Sequence, residues 1–335
     1  MSTRQLLPIP VVLLTVAPVA QAQTPTTPTT PVTPVTPVTP APAPAAGKAT
    51  LSVDGGLATK KTRYVAPSQE VVVRGVVKPY VSGEVLTLYA IRRGKASKQV
   101  RRAVRSRGRY EFRFKVGNPG PVRLVVKHSA SGGQVAFRTR TETIQVVNWQ
   151  AGKGARGTKV TLLQRGLLKL GFATPVTGYF DGLTANAVNA FRKTNGMGRD
   201  GYAATSVYAM VLRREGAFKL RHPDSGTHGK HVEFDWSRQV LVLADRRKPY
   251  RVYHVSSGKP STPTVFGSFR FYSKTPGTNS HGMVHSSYFI GGYAIHGYAS
   301  VPNYAASHGC LRVPIPNALS IYNWIDLGDP IYTYQ

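Results

Sequence analysis

Tyr293-Ala294-Ile295-His296-Gly297 and Ser307-His308-Gly309-Cys310-Leu311-Arg312 are the stretches from which the rest of this 335-residue chain is read outward. The first alternates like a strand; the second carries the chain's single cysteine. One cysteine forms no internal disulfide, so a thiol carried into an oxidising compartment is inert by burial, linked to another chain, or used chemically. The neighbouring histidines favour the third. A thiol is a poor nucleophile until deprotonated, which takes a base or a positive pocket. His296 and His308 are the candidate bases. His308 is two residues from Cys310, a spacing that shares a face in a strand but need not in a turn. His296, on its own strand-like segment, is expected to reach the sulfur across a hairpin. Gly309 lets backbone N–H groups converge on a developing oxyanion. Arg312 adds positive charge beside a thiolate or a substrate carboxylate. Together these parts describe acyl transfer through a thioester. The competing account is a buried cysteine beside turn glycines, with the histidines as polar caps.

Around this core, residues 228–335 have β character. Val232-Glu233-Phe234-Asp235-Trp236 and Gln239-Val240-Leu241-Val242-Leu243 read as a hairpin closed near Ser237-Arg238, Tyr250 to Ser256 continues the sheet, and residues 317–325 are the one helix. Upstream, residues 150–218 switch to helical periodicity. Val160, Leu163, Leu167 and Leu170 line one face of a helix that starts near Gly157-Thr158 and ends at Gly171. A second helix runs through Ala185, Val188 and Phe191 to Gly196, and a third through Val207, Met210 and Val211. Asp181-Gly182 and Asp200-Gly201 each precede a threonine and a helix, a weak internal repeat. Residues 48–148 alternate like strands separated by Gly, Pro, Ser and Asn turns, as in Glu70 to Val77, Val85 to Ile91, Tyr110 to Val116 and Val122 to Val126. That pattern predicts an immunoglobulin-like β-sandwich without a cysteine pair.

The N-terminal residues 1–22 read as a secretory signal peptide: Arg4, an apolar run too short and proline-broken to span a bilayer, then Ala20-Gln21-Ala22. Residues 23–47, rich in Pro, Thr and Val, read as a semi-stiff polyproline II linker. The chain is thus expected to be multidomain and mainly β, secreted to the cell wall or periplasm, with no transmembrane anchor and nothing demanding more than a monomer.

Two of these segments resemble known families. Val160-x-x-Leu163-Gln164-x-x-Leu167-x-x-Leu170-Gly171-Phe172, followed by Asp181-Gly182-x-Thr184-x-x-Ala187-Val188-x-x-Phe191, resembles the peptidoglycan-binding domain type 1 family of small three-helix bundles. Ile295-His296-Gly297 with Ser307-His308-Gly309-Cys310-Leu311-Arg312 resembles the L,D-transpeptidase (YkuD-like) catalytic domain, a β-rich fold. Ser261-Thr262-Pro263-Thr264-Val265-Phe266-Gly267-Ser268-Phe269 resembles that family's Thr-Pro-x-Gly-x-Phe strand, with one extra residue between Pro263 and Gly267. The resemblance implies that Cys310 is the nucleophile, His296 the general base, and His308 and Gly309 the shapers of an oxyanion hole. Ser307 and Arg312 fall on supporting positions. It further implies peptidoglycan stem peptides as substrate, 3→3 cross-links as product, and no metal or organic cofactor. His281 with His285, and His222, His228 and His231, have loose ligand-like spacings but lack the third ligand and knuckle geometry of a zinc site, so they read as loop histidines.

The net charge of +30 bears on partners. Residues 48–148 hold 21 basic and 5 acidic side chains, against 10 and 5 in residues 228–335. The cationic field is therefore strongest away from Cys310 and suits anionic cell-wall polymers. The basic residues match no nucleic-acid recognition motif. The functional reading is a secreted L,D-transpeptidase; an L,D-carboxypeptidase, in which water resolves the thioester, and a non-catalytic wall-binding protein are the alternatives. Deletion of residues 150–218 is expected to abolish wall binding and spare turnover.

Overall fold

Alternating apolar residues build the first of three layers. The computed structural model describes residues 13–14, 43–223 and 229–335. The expected signal peptide and residues 23–42 of the expected linker lie outside that set, apart from the exposed Leu13 and Leu14. The described strands of the first layer are β1 (Lys48–Ala49), β2 (Ser52–Asp54), β3 (Leu57–Ala58), β4 (Arg63–Val65), β5 (Glu70–Lys78), β6 (Val85–Arg92), β7 (Lys95–Ala103), β8 (Arg109–Lys115), β9 (Gly120–His128), β10 (Phe137–Arg138) and β11 (Glu142–Val146). One sheet runs β1-β5-β2 with β8 on β5; the other runs β3-β4-β11-β9-β6-β7 with β10 on β9. In β8 every second residue, Tyr110, Phe112 and Phe114, turns inward onto Val71 and Val73 of β5 and Leu86 and Leu88 of β6. The result is the expected immunoglobulin-like sandwich. Residues 43–47, read above as the end of the linker, run along it: Ala45 bridges to Gln134.

The helices follow as α1 (Thr158–Lys169), α2 (Gly182–Thr194) and α3 (Thr205–Arg213). Gly171 ends α1 in a left-handed conformation, φ +95°. Asp181 caps α2, its Oδ1 accepting the Thr184 N–H at 2.8 Å and the Thr184 hydroxyl at 2.7 Å. Asp200-Gly201 likewise precedes a helix, α3 starting at Thr205, but the cap position there is Ala204, and Asp200 pairs with Arg192 at 2.8 Å.

The third layer holds β12 (Lys230–Asp235), β13 (Val240–Asp245), β14 (Lys248–His254), β15 (Gly267–Arg270), β16 (Ser273–Thr278), β17 (Val284–Ile290), β18 (Tyr293–Tyr298), β19 (Leu311–Pro314), α4 (Ile315–Trp324) and β20 (Pro330–Tyr334). One sheet runs β14-β13-β12-β20-β15 and the other β16-β17-β18-β19, with β18 and β19 parallel. Packing α4 on β18 requires Gly297, where a Cβ would come within 2.7 Å of Ala318.

The bundle does not hang free. Its core of Val160, Leu163, Phe172, Val188 and Phe191 is continuous with Val240 and Val242 of β13 and Val252 of β14. Gly171 accepts the Val252 N–H at 2.8 Å. On the bundle's other side Leu57 and Ala66 of the sandwich join the same core, and the Gln69 amide donates to the Leu212 carbonyl at 3.3 Å. The expectation that residues 150–218 can be deleted with turnover spared meets this shared core: their removal would bare the face of β13 and β14 to water. Among the described residues no helix is long and apolar enough to cross a membrane.

Candidate active site

The parallel pairing of β18 and β19 assembles the site. Ile295 and Leu311 face the core, and His296 registers with Arg312. His296 is therefore on a neighbouring parallel strand rather than across a hairpin. Extending the register by one beyond Ile295 and Leu311 places Ala294 opposite Cys310, and the Ala294 N–H is directed at the sulfur. The thiol in turn donates to the Gly292 carbonyl at 3.6 Å. Side chains alternate along a strand, so His296 and Tyr298 share the face that Arg312 presents. Contacts agree: the Arg312 guanidinium lies 4.1 Å over the Tyr298 ring, and the His296 and Tyr298 rings meet edge to face at 5.7 Å.

His296 is 3% exposed. Its Nδ1 lies 2.9 Å from the Gly297 carbonyl, which only accepts, so Nδ1 carries the proton and Nε2 keeps a free lone pair. Burial holds this imidazole below its ordinary range, the Gly297 hydrogen bond opposes that, and Arg312 adds to it. Burial raises the half-buried Cys310 thiol, against which the Ala294 N–H and Arg312 act. At neutral pH the pair therefore rests as thiol and neutral imidazole.

The turn before Cys310 is built from small residues and hydroxyls. Ser307 is buried; its Oγ donates to the Cys310 carbonyl at 2.6 Å and accepts the Gly309 N–H at 3.1 Å. That Gly309 amide is thus engaged by Ser307 rather than pointing into the site. Gly309 has φ +115°, and a Cβ there would sit 1.8 Å from the Tyr293 ring. His308 is exposed, and its Nε2 lies 3.5 Å from Lys259 Nζ. Beneath the turn, Thr262 Oγ1 donates to the Ser307 carbonyl at 3.2 Å, and Thr264 Oγ1 donates to the Gly309 carbonyl at 2.7 Å while accepting the Gly258 N–H at 3.0 Å. These threonines lie in the Thr-Pro stretch that the sequence marks, but their role as a buttress comes from chain segments that sequence spacing does not connect. The extra residue falls in the irregular stretch before β15, where the Val265 carbonyl accepts from Thr333 Oγ1 at 2.7 Å.

Of the histidines with ligand-like spacing, His222 and His231 meet at Glu233 and Tyr332. His222 stacks on Tyr332 at 4.2 Å, His231 bonds Glu233 at 3.2 Å, and His285 Nδ1 accepts the Gly277 N–H at 3.2 Å. His281 is exposed, and His228 lies outside the described residues. Among the described residues no group of three or more His, Cys, Asp or Glu is placed to hold a metal ion.

Comparison with known proteins finds matches over two of the chain's segments. The L,D-transpeptidase catalytic domain model matches residues 229–333, and a peptidoglycan binding domain model matches residues 156–210. A solved L,D-transpeptidase from Xylanimonas cellulosilytica is 30% identical, with 56% of this chain and 98% of that chain covered and a TM-score of 0.50. One from Stackebrandtia nassauensis is 20% identical over 55% of this chain and 95% of that chain, with a TM-score of 0.35. Among curated proteins none matched.

Proposed function

The chain belongs to the L,D-transpeptidase family, and we propose that it is a secreted enzyme that forms 3→3 cross-links in peptidoglycan through a thioester on Cys310. The observation that carries this reading is the strand pairing that sets His296, with a free Nε2 lone pair, on the strand beside Cys310. Because thiol and imidazole both rest neutral, attack and proton transfer go together. Cys310 Sγ bonds to the carbonyl carbon that joins a diamino acid to the terminal D-Ala of a tetrapeptide stem. His296 Nε2 takes the thiol proton. The tetrahedral oxyanion collapses, the C–N bond breaks, and D-Ala leaves with the proton from His296. The side-chain amine of a second stem then attacks the thioester, His296 takes its proton, and the returning Cys310 sulfur recovers it. The oxyanion is assigned to backbone N–H groups of the turn before Leu311 other than that of Gly309, which Ser307 holds, with His308, Gly309, Ser307 and Arg312 shaping that turn.

Mass-spectrometric analysis of tetrapeptide muropeptides incubated with the mature protein tests this. New 3→3 dimers, lost in Cys310→Ala, are expected. Tripeptides without dimers would move the activity to L,D-carboxypeptidase, and unchanged substrate with intact walls would leave a binding protein.

The sandwich supports a second partner. Its register sets Arg101, Thr87, Lys127 and Arg138 in one row across β7, β6, β9 and β10, with Arg101, Lys127 and Arg138 exposed. Like charges on adjacent strands repel, and the carboxylates Asp54, Glu70 and Glu111 are taken up by Arg74 and Arg113 on the other sheet. Such a row fits an anionic wall polymer. Retention on walls should weaken with salt and in Arg101→Glu with Lys127→Glu; equal retention on walls stripped of anionic polymer would exclude it.

A further inference from the structure

Lys193 stands in the last turn of α2, where a lysine ordinarily points to water and complements the helix dipole. Here it is 3% exposed and leaves the bundle for the catalytic layer. Its ammonium donates to the carbonyls of Gln239 at 3.1 Å and Val255 at 3.2 Å, and to His254 Nδ1 at 2.7 Å. With Nδ1 accepting, the proton of the neutral His254 ring is on Nε2, which donates to the Val301 carbonyl at 2.9 Å. Burial first, and then the nearby Arg199, lower this lysine from its ordinary range to about 7, a cost of charge that a methionine of like length would not carry. What the ammonium gives in return is geometric: three donors that hold the end of β14 and, through His254, the loop leading to Cys310.

The same strand end carries the hold further. Ser256 exchanges both backbone hydrogen bonds with Arg312, at 3.0 and 2.9 Å, and its hydroxyl donates to the Tyr304 carbonyl at 2.6 Å. The Ser257 carbonyl accepts the N–H groups of Ala306 and Ser307 at 2.8 and 2.9 Å. An independent tie comes from the bundle's surface. The Asn303 side chain donates to the Arg199 carbonyl at 2.7 Å and accepts from Asn189, while Arg199 Nη1 donates to the Asn303 carbonyl at 3.0 Å. The loop is thus held from the bundle at Val301, through His254, and at Asn303 directly.

We infer that the helical bundle is a working part of the catalytic centre, with Lys193 a positioning residue that fixes the loop delivering Cys310. This rests on the reading of Cys310 as nucleophile. A wall-binding module and a nucleophile loop that share these contacts cannot be treated as tether and engine.

The test uses the full chain as Lys193→Met and Asn303→Ala, the second changing only a loop side chain. Four quantities are read: thermal midpoint, retention on purified walls, kcat and KM on tetrapeptide muropeptides, and the rate of Cys310 alkylation by iodoacetamide. Both variants should bind walls and hold KM, while kcat falls roughly ten- to hundred-fold, as for a misplaced reacting group. Alkylation should quicken as the sulfur loosens from Gly292 and Ala294. Folded variants with the wild-type kcat and alkylation rate would overturn the inference. Should Lys193→Met not fold, Asn303→Ala decides alone by the same criteria. A wild-type protein without turnover, whose alkylation still quickens in Asn303→Ala, would sink the enzymatic reading and leave the positioning intact.

Discussion

The Thr264 hydroxyl donates to the Gly309 carbonyl at 2.7 Å, so the turn that presents Cys310 is held from a segment 45 residues earlier. The same oxygen accepts the Gly258 N–H, which makes Thr264 a two-way buttress between buried backbone groups. Thr264→Val keeps the shape and removes both bonds. Leaving such groups unpaired costs about 1–3 kcal/mol. Thermal melting should show that loss, and kcat should fall more than KM rises; Thr264→Ser should restore both.

Gly309 is bound to its identity by two constraints, the positive φ and the Tyr293 ring. Gly309→Ala strains the backbone by about 1–3 kcal/mol and drives a methyl group into that ring. Turnover should be lost. Adding Tyr293→Ala removes the collision but not the strain, so the double variant should melt higher than Gly309→Ala and still fall short of wild type. Equal melting points for the two would show that the ring yields freely.

The resting protonation states make a pH prediction. Below its ordinary value of 6.5, His296 is held neutral by burial first, and Cys310 is held above 9.0 by burial. The acid limb of kcat/KM should therefore have its midpoint below pH 6.5, and Cys310 alkylation should climb only beyond pH 9. The sign for stability is the same for His296: the unfolded chain takes up its proton first as pH falls below 6.5, so the folded state loses ground there. An alkylation midpoint near neutrality would mean a standing thiolate and would overturn the concerted step.

Which of these features the sequence displays follows from how local they are. Strands β5, β6, β8 and β9 are legible because each alternates buried and exposed side chains, and α1 because Val160, Leu163 and Leu167 repeat at helical spacing. Strand β7 is not, since it lies at a sheet edge with eight of its nine residues exposed and reads Lys-Ala-Ser-Lys-Gln-Val-Arg-Arg-Ala. Cys310 and His296 are visible as residue types, yet their parallel pairing depends on the intervening loop. Thr264 and Lys193 look like ordinary polar residues, because their partners are distant in sequence and only folding brings them within bonding distance.

The fusion of bundle and catalytic sheet yields the last prediction. Phe172 is fully buried, meets Phe191 edge to face at 5.2 Å, and lies in the segment bridged to Val252. It therefore belongs to both layers at once. Phe172→Ala should cost about 3–5 kcal/mol, and because the core it opens is shared, the bundle and the catalytic layer should melt together in one transition at lower temperature. A chain lacking residues 150–218 should precipitate rather than turn over, for Val240, Val242 and Val252 would meet water. If instead that shortened chain stays monomeric and active, or Phe172→Ala melts in two separated steps, the layers fold independently and the bundle is a tether after all.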